Sequence, residues 1–376
     1  MDSASSNRAD VWQTAGGDNS RRGCFGGAAA PRLRLKTRLR AQGALQASVV
    51  FDRHGTAFVA DMAGWAQAFS SQGERRWQTQ LDGPVSATPA LHATEPALFA
   101  ATQRGSVYAL SADTGAVRWR REIPTRSDPR ILSDLLFHAP SGRVILSSWG
   151  GRFIALDAAM GAERASWDAG ISPAAGLGAD RQGRLYALRA VGGKGIQLVC
   201  LAADGTETVL HTEPESSRGA RRALVAAGPV ADDAGDTLYA VLNGDTTGAL
   251  CAWSIESKAL RWRTSIPACV QATPAVRSDG TVLVADLSGH LQAVAPDGAV
   301  RWRRFLGCEY LLAGAVSDNV GTCFIGDPLG QLHAVGADGK ARVIVEAERA
   351  IQSRPSFDPS GRLFLPSTDR SVYVLG

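Results

Sequence analysis

Degenerate copies of one short stretch recur along this chain, and they constrain its fold more than anything else in it. The clearest copy is YALSADTGAVRW, ending at Trp119. AFSSQGERRW ends at Trp77, ALDAAMGAERASW at Trp167, AWSIESKALRW at Trp262 and AVAPDGAVRW at Trp302. Each reads as a strand, a polar or glycine-bearing turn, and a second strand whose last apolar residue is tryptophan. A repeat of roughly 40 residues cannot bury a core alone, so neighbouring units must stack, as propeller blades do.

Four strands are legible in each unit; in the first they are VVFD, TAFVAD, WAQAFS and RRWQTQ. The units fall at about 45–82, 84–124, 130–169, 171–213, 222–267, 269–306 and 308–347. Residues 350–376 supply only three strands, SRPSFD, RLFLPS and SVYVLG. Far upstream, Arg32–Arg40 (RLRLKTRLR) alternates Leu33, Leu35 and Leu39 with basic residues. That is the pattern of a half-buried strand with the charges of an edge. Closing a ring of blades removes exposed edges. The expected fold is therefore all-β: an eight-bladed β-propeller with four antiparallel strands per blade. Residues 31–40 close the blade formed by 350–376, within a single propeller domain spanning 31–376. The alternative is seven blades and a separate N-terminal strand. Residues 1–30 hold Gly16, Gly17, Gly23, Gly26 and Gly27 with few bulky apolar residues, and read as an extended arm.

Charge is uneven. Residues 1–44 carry eight basic side chains against Asp2, Asp10 and Asp18, while the whole chain nets only +4. A nucleic-acid binder carries its basic patch on the folded body, so no nucleic acid is expected. No apolar run is long enough to span a bilayer, and MDSASSNRADVWQTAGGDNS lacks the apolar segment of a secretory signal. The expectation is a cytoplasmic monomer with no membrane contact. The six cysteines include no CxxC and no zinc spacing, so free thiols and no metal are expected.

The pattern A-x-D-x-x-T-G-x-x-x-W, carried by Ala109, Ser111, Thr114, Gly115 and Trp119, resembles the repeat of the pyrroloquinoline-quinone (PQQ)-like eight-bladed propellers. Ser111 stands where that family usually has Asp, and Asp157 restores it in the third blade. Trp12, Gly16, Gly17, Arg22 and Gly23 resemble the family's opening W…G…R-x-G arm. The resemblance implies the fold and leaves activity open, because the family holds dehydrogenases, membrane-assembly lipoproteins and proteins of other roles. Its redox members place PQQ over calcium, with Glu, Asn and Asp ligands and often a vicinal cysteine pair. This chain has no adjacent cysteines and no position matching those ligands, so no cofactor is expected.

Departures from the repeat mark candidate sites. Aligned on the motif ATPA, the inner-strand slot of Thr88 and Thr273 holds Ala47, Asp134, Ala174, Ala227, Ala313 and Arg354 elsewhere. Asp134 and Arg354 then face the central channel, able to pair, to hold an anion or to act as acid and base. The turns between middle strands bring Trp65, Arg104, Trp149, His290 and Arg370 to one rim, joined from the preceding loops by Arg126, Arg130, Cys269, Cys308 and Tyr310. Arg and aromatic residues on a concave rim suit an anionic or planar ligand. Cys269 and Cys308 follow Trp262 and Trp302 at similar spacing, which places two thiols near the channel mouth and makes Cys308 a candidate nucleophile. The expected function is non-redox binding of a small molecule or protein partner at the funnel. The alternatives are a non-quinoprotein enzyme acting on a small anionic or planar metabolite, a PQQ-dependent dehydrogenase, and an envelope scaffold.

Overall fold

Eight four-stranded antiparallel sheets make up the computed structural model, which describes residues 12–30, 32–124, 128–170, 176–214 and 226–376. Seven blades follow one another in sequence at 50–80, 90–122, 136–168, 178–213, 230–266, 275–305 and 316–346. The eighth is a composite: three strands from 356–375 pair with Leu35–Arg40, so that Leu39 faces Val372 and Arg40 faces Ser371. The only helix among the described residues is a 3₁₀ turn, Ala139–Ser141, and no helix there is long and apolar enough to cross a membrane.

The closing strand departs from simple alternation. Leu39 is buried, but Leu35 is 41% exposed. A bulge between Leu35 and Thr37 inserts one residue and turns Leu35 to the other face.

Cores lie between blades. Ala90, Phe99 and Ala109 of the second blade meet Phe137, Val144 and Leu156 of the third in one buried cluster. The outer-strand tryptophans reach across the same joints. Trp77 Nε1 donates to the Ala112 carbonyl of the next blade (2.8 Å), Trp119 to Ala158 (2.9 Å), Trp262 to Pro296 (2.7 Å) and Trp302 to Ala337 (2.9 Å). Glycine is required where each ring lands: a Cβ on Gly115, at φ +74°, would sit 2.6 Å from the Trp77 ring. Trp167 also reaches the next blade, its Nε1 donating to the Thr206 carbonyl (3.1 Å), but from a different register. Ala165 takes its place opposite Ala155, and Trp167 pairs with Phe153, two residues along. In the blades without a tryptophan, Val209 and Val343 are each 43% exposed. At the first of those joints, His211 meets Trp253 at 5.5 Å.

The N-terminal arm touches all eight blades in order. The carbonyls of Trp12 and Gln13 accept from Phe51 and Leu91, at the far ends of the first two inner strands (2.8 and 2.9 Å). Thr14 Oγ1 donates to the Leu135 carbonyl (2.6 Å), and the Asn19 carbonyl accepts from Ala179 (2.9 Å). Arg22 pairs with Asp233 in the fifth blade, and its carbonyl accepts from Val276 in the sixth. Gly23 accepts from Ser317, and Phe25 stacks on Phe357 at 4.7 Å. These bonds satisfy backbone groups at the ends of the inner strands. They also floor one mouth of the channel.

Candidate functional site

At the opposite mouth, the loop leading into each inner strand is tied to a turn between middle strands. Asp61 accepts from Ala63 and Trp65 in its own turn (both 3.0 Å) and from Gln42 and Gly43 in the lead-in loop (3.1 and 3.0 Å). Backbone bonds repeat the link: Gln103 to Pro84, Trp149 to Arg130, Leu287 to Cys269 and Tyr310 to Leu287. Among the described residues, both sets of rim residues expected from the sequence therefore share one face.

Between this face and the arm lies a well of about 190 Å³, lined by lead-in segments and by Ala15 and Arg21 of the arm. Side chains two residues apart face the axis, as strand geometry dictates. The upper tier includes Gln46, Ser86, Leu132, Gln271, Leu312 and Gln352 and carries no charge. The lower tier is read from ladder register: Val50 faces Phe58, Leu136 faces Ile145, Val230 faces Tyr239 and Val316 faces Phe324. Two residues before each of those strand positions come Ser48, Thr88, Asp134, Gly176, Gly228, Thr273, Gly314 and Arg354. The alignment on ATPA is thus corrected. Ala47, Ala227 and Ala313 each sit one residue early, and Ala174 lies outside the described residues. The inner strands pair over only two or three residues, and lead-in loops of unequal length hide the register.

Adjacent lower-tier residues are laced together. Ser48 N donates to Thr88 Oγ1 (3.1 Å), Thr88 N to Asp134 Oδ1 (2.8 Å) and Gly228 N to Thr273 Oγ1 (3.1 Å). Arg354 is 7% exposed; its Nη1 donates to the Arg21 carbonyl (3.1 Å), and Nη2 to the carbonyls of Thr273 and Pro274. Burial pulls its pKa down to about 10, against the attraction of Asp134, and nearby Arg21 lowers it further.

Arg21 is the residue that sequence reasoning missed. It is 1% exposed with φ +56°, and it reaches from the arm into the same floor. Its Nη2 donates to the carbonyls of Asp134 (2.8 Å) and Leu135 (3.3 Å), and its Nη1 lies 3.5 Å from Asp134 Oδ2. Nε has no partner. Asp134 and Arg354 do not pair directly; Asp134 pairs with Arg21 instead. Two of the three lower-tier glycines explain how the guanidiniums fit. A Cβ at Gly176 would stand 2.1 Å from Arg21 Nη1, and one at Gly314 would stand 2.5 Å from Arg354 Nε. Arg22, marked from the sequence as the arm's arginine, turns outward to Asp18 and Asp233.

The remaining candidates are spread around the rim. Arg130 stacks over Trp149 at 5.3 Å and is clamped by Asp128, which raises its pKa through hydrogen bonds. Trp65, Arg104 and Arg370 sit on the first, second and eighth blades, and Arg104 packs over Gly83. His290 lies 5.2 Å from Phe305, and Tyr310 is 60% exposed at φ +61°. Arg126 lies outside the described residues. The two cysteines face different surroundings. Cys269 Sγ points to the Gly244 and Thr247 carbonyls at 3.7 and 3.8 Å, and burial and Asp245 raise its pKa. Cys308 is buried, and burial together with Asp327 pushes its thiol up to about 12. A thiol held in that state is a poor nucleophile at neutral pH.

The well does not fit a calcium-bound quinone. Calcium takes six to eight oxygen ligands, preferably carboxylates. The well offers one carboxylate, Asp134, against two guanidiniums.

Comparison with known proteins agrees with this architecture. The family described as "Outer membrane protein assembly factor BamB" matches residues 4–220 and, in an overlapping second match, 164–364. A search of curated proteins finds no match. Among solved structures, BamB from Moraxella catarrhalis superposes with a TM-score of 0.74 at 18% identity, covering 91% of this chain and 97% of its own. Quinohemoprotein alcohol dehydrogenase from Comamonas testosteroni gives 0.75 at 13% identity, over 99% and 81%. A europium-containing methanol dehydrogenase gives 0.77 at 13%, over 96% and 89%. At such identities the structures share a fold, and the fold is shared by unlike functions. The family match spans most of the sequence, and with the eight blades it makes this chain a member of the PQQ-like propeller family described by BamB, the outer membrane protein assembly factor.

Proposed function

We infer that this protein is a non-redox binding propeller that takes a small ligand, or one group of a larger partner, into the well from the lead-in face. One observation carries this reading: the channel is floored by the arm and carries a cluster of buried charge at its base. A channel closed at one end and lined by a few convergent polar groups is a receptacle. The chemistry around it favours binding over turnover. Backbone carbonyls hold Arg354 and Arg21 in place as fixed positive charges, and the Cys308 thiol is held protonated by burial and Asp327.

Native mass spectrometry of protein purified from its own host tests this reading. The expected result is a small mass lost on denaturation that is missing from Gln271→Trp, a variant that fills the upper tier. A bare wild-type chain would sink the small-ligand form.

A second reading rests on the family match over residues 4–364. In it the propeller is an envelope scaffold, and the partner is a protein engaged by the rim. It differs from the first in compartment, since the sequence led to a cytoplasmic expectation. Cell fractionation separates the two, and crosslinking from Trp149 and Tyr310 then reports a protein partner.

A further inference from the structure

The geometry points to an oxyanion site on the floor of the well: one phosphate or carboxylate group held between Arg354 and the arm's Arg21. This inference rests on the binding reading and names the chemistry of the ligand. Its first support is charge. Arg21, Arg354 and Asp134 are the charged residues lining the well, so the floor carries one positive charge in excess among the described residues. Both guanidiniums are nearly sealed from bulk water, and the carbonyls that hold them do not neutralise them. Buried charge is costly unless it meets a counter-charge. Asp134 supplies one counter-charge for two cations, and a monoanion completes the balance.

The second support is a surplus of donors. Arg21 Nε is buried without a partner. Thr88 Oγ1 and Thr273 Oγ1 each accept a backbone N–H from a neighbouring blade, which leaves the hydroxyl hydrogens to be donated. Both threonines line the well. An oxyanion accepts from several donors at once, and the planar fork of Arg matches carboxylate and phosphate. Desolvation lowers the pKa of Arg354, yet leaves it protonated at neutral pH.

The third support is how the site is assembled. Gly176 and Gly314 leave room for the guanidiniums where any side chain would collide with them. One arginine comes from the N-terminal arm and the other from the last blade, so the site exists only in the closed ring.

Calorimetric titration of the full-length chain at low ionic strength tests the inference, with inorganic phosphate in one arm and acetate in the other. The expected result is one anion per chain. Phosphate alone marks a phosphoryl ligand, and acetate alone or both mark a carboxylate-tolerant one. Asp134→Asn keeps an Oδ1 acceptor for Thr88 N and removes the opposing charge, so it should tighten binding about tenfold or more. Arg354→Gln should abolish binding. If that variant fails to fold by circular dichroism, Asp134→Asn carries the test, because Asn keeps the size of the side chain and its Oδ1 acceptor, and the two buried guanidiniums it leaves without a protein counter-charge are what the added anion would balance. Silence from both anions, in wild type and in Asp134→Asn, overturns the site. So does binding that Asp134→Asn leaves unchanged. A neutral molecule carried from the host and lost in Gln271→Trp would overturn the anion while the binding reading stands.

Discussion

The floor of the well and its rim hold the same residue types in opposite circumstances. On the floor, Arg21 and Arg354 are sealed among carbonyls, and their neighbours are glycines that leave room for them. On the rim, Arg130 is in water, clamped by its own loop's Asp128 and resting on Trp149. The rim arginine needs nothing further, because exposed ion pairs are nearly neutral in energy. The floor arginines stay charged at a cost that the rest of the fold must bear. Arg21 and Arg22 show the same contrast side by side: one is buried with an unpartnered Nε, and the other has two carboxylates at the surface. Number of arginines is therefore a poor guide to a site, and what the guanidinium lacks is a better one.

Substitutions can break or sharpen this contrast. The largest effect should come from Trp12→Ala, since Trp12 is buried against Phe357 where the arm crosses the seam of the eighth and first blades. Urea unfolding should show a loss of about 3–5 kcal/mol. The rim counterpart, Trp149→Ala, should lose less than about 1 kcal/mol, the scale of a surface contact with one cation–π pair. Equal losses would erase the contrast.

Gly314→Ala comes next. Its Cβ would collide with Arg354 Nε, so a loss of about 1–3 kcal/mol is expected, together with loss of phosphate binding. Full binding by this variant would show that Arg354 is not where the anion sits.

A pH series sharpens the comparison further. Arg354 titrates near 10 in the fold, well below an ordinary arginine. Its buried charge penalises the fold fully below about pH 10. Above it, up to the higher pKa of the unfolded arginine, the unfolded chain binds more protons, so this group's contribution to stability rises with pH. Anion affinity should move the other way, holding to about pH 9 and falling as pH climbs through 10 in titrations with phosphate. Affinity that stays flat to pH 11 would point to a rim arginine such as Arg130, whose pKa is raised.

The smallest effect concerns the thiols. Half-buried Cys269 should react with a thiol reagent faster than Cys308, whose pKa stands near 12 behind burial and Asp327. Equal rates would mean that the seventh blade's lead-in loop opens readily.

Eight blades were legible because each outer strand announces itself with a tryptophan or its register, and because nine basic and leucine-rich residues had no place except on an unfinished blade. Alternation alone misplaced Leu35, since a bulge leaves no mark in composition. The floor was half legible. Asp134 and Arg354 stood out against small residues, but inner strands with two-residue ladders gave the alignment no anchor, and the glycines at 176 and 314 were read as alanines one or two positions away. Arg21 stayed hidden for a physical reason: a charged residue in a glycine-rich arm looks solvated until the arm is seen lying across a channel.

The path of that arm also sets an order of events at birth. Residues 12–40 leave the ribosome well before their partners, which include Ser317, Phe357 and Val372, made hundreds of residues later. Contacts so distant in sequence form slowly. Until the strand that pairs with Leu35–Arg40 emerges, the growing chain presents an unpaired blade edge and an unsheltered arm, the kind of exposed surface that misassembles. Strand Ser371–Leu375 thus acts as the latch of the ring: once it is made the ring can shut, the arm can settle, and Arg21 comes to rest beside Arg354.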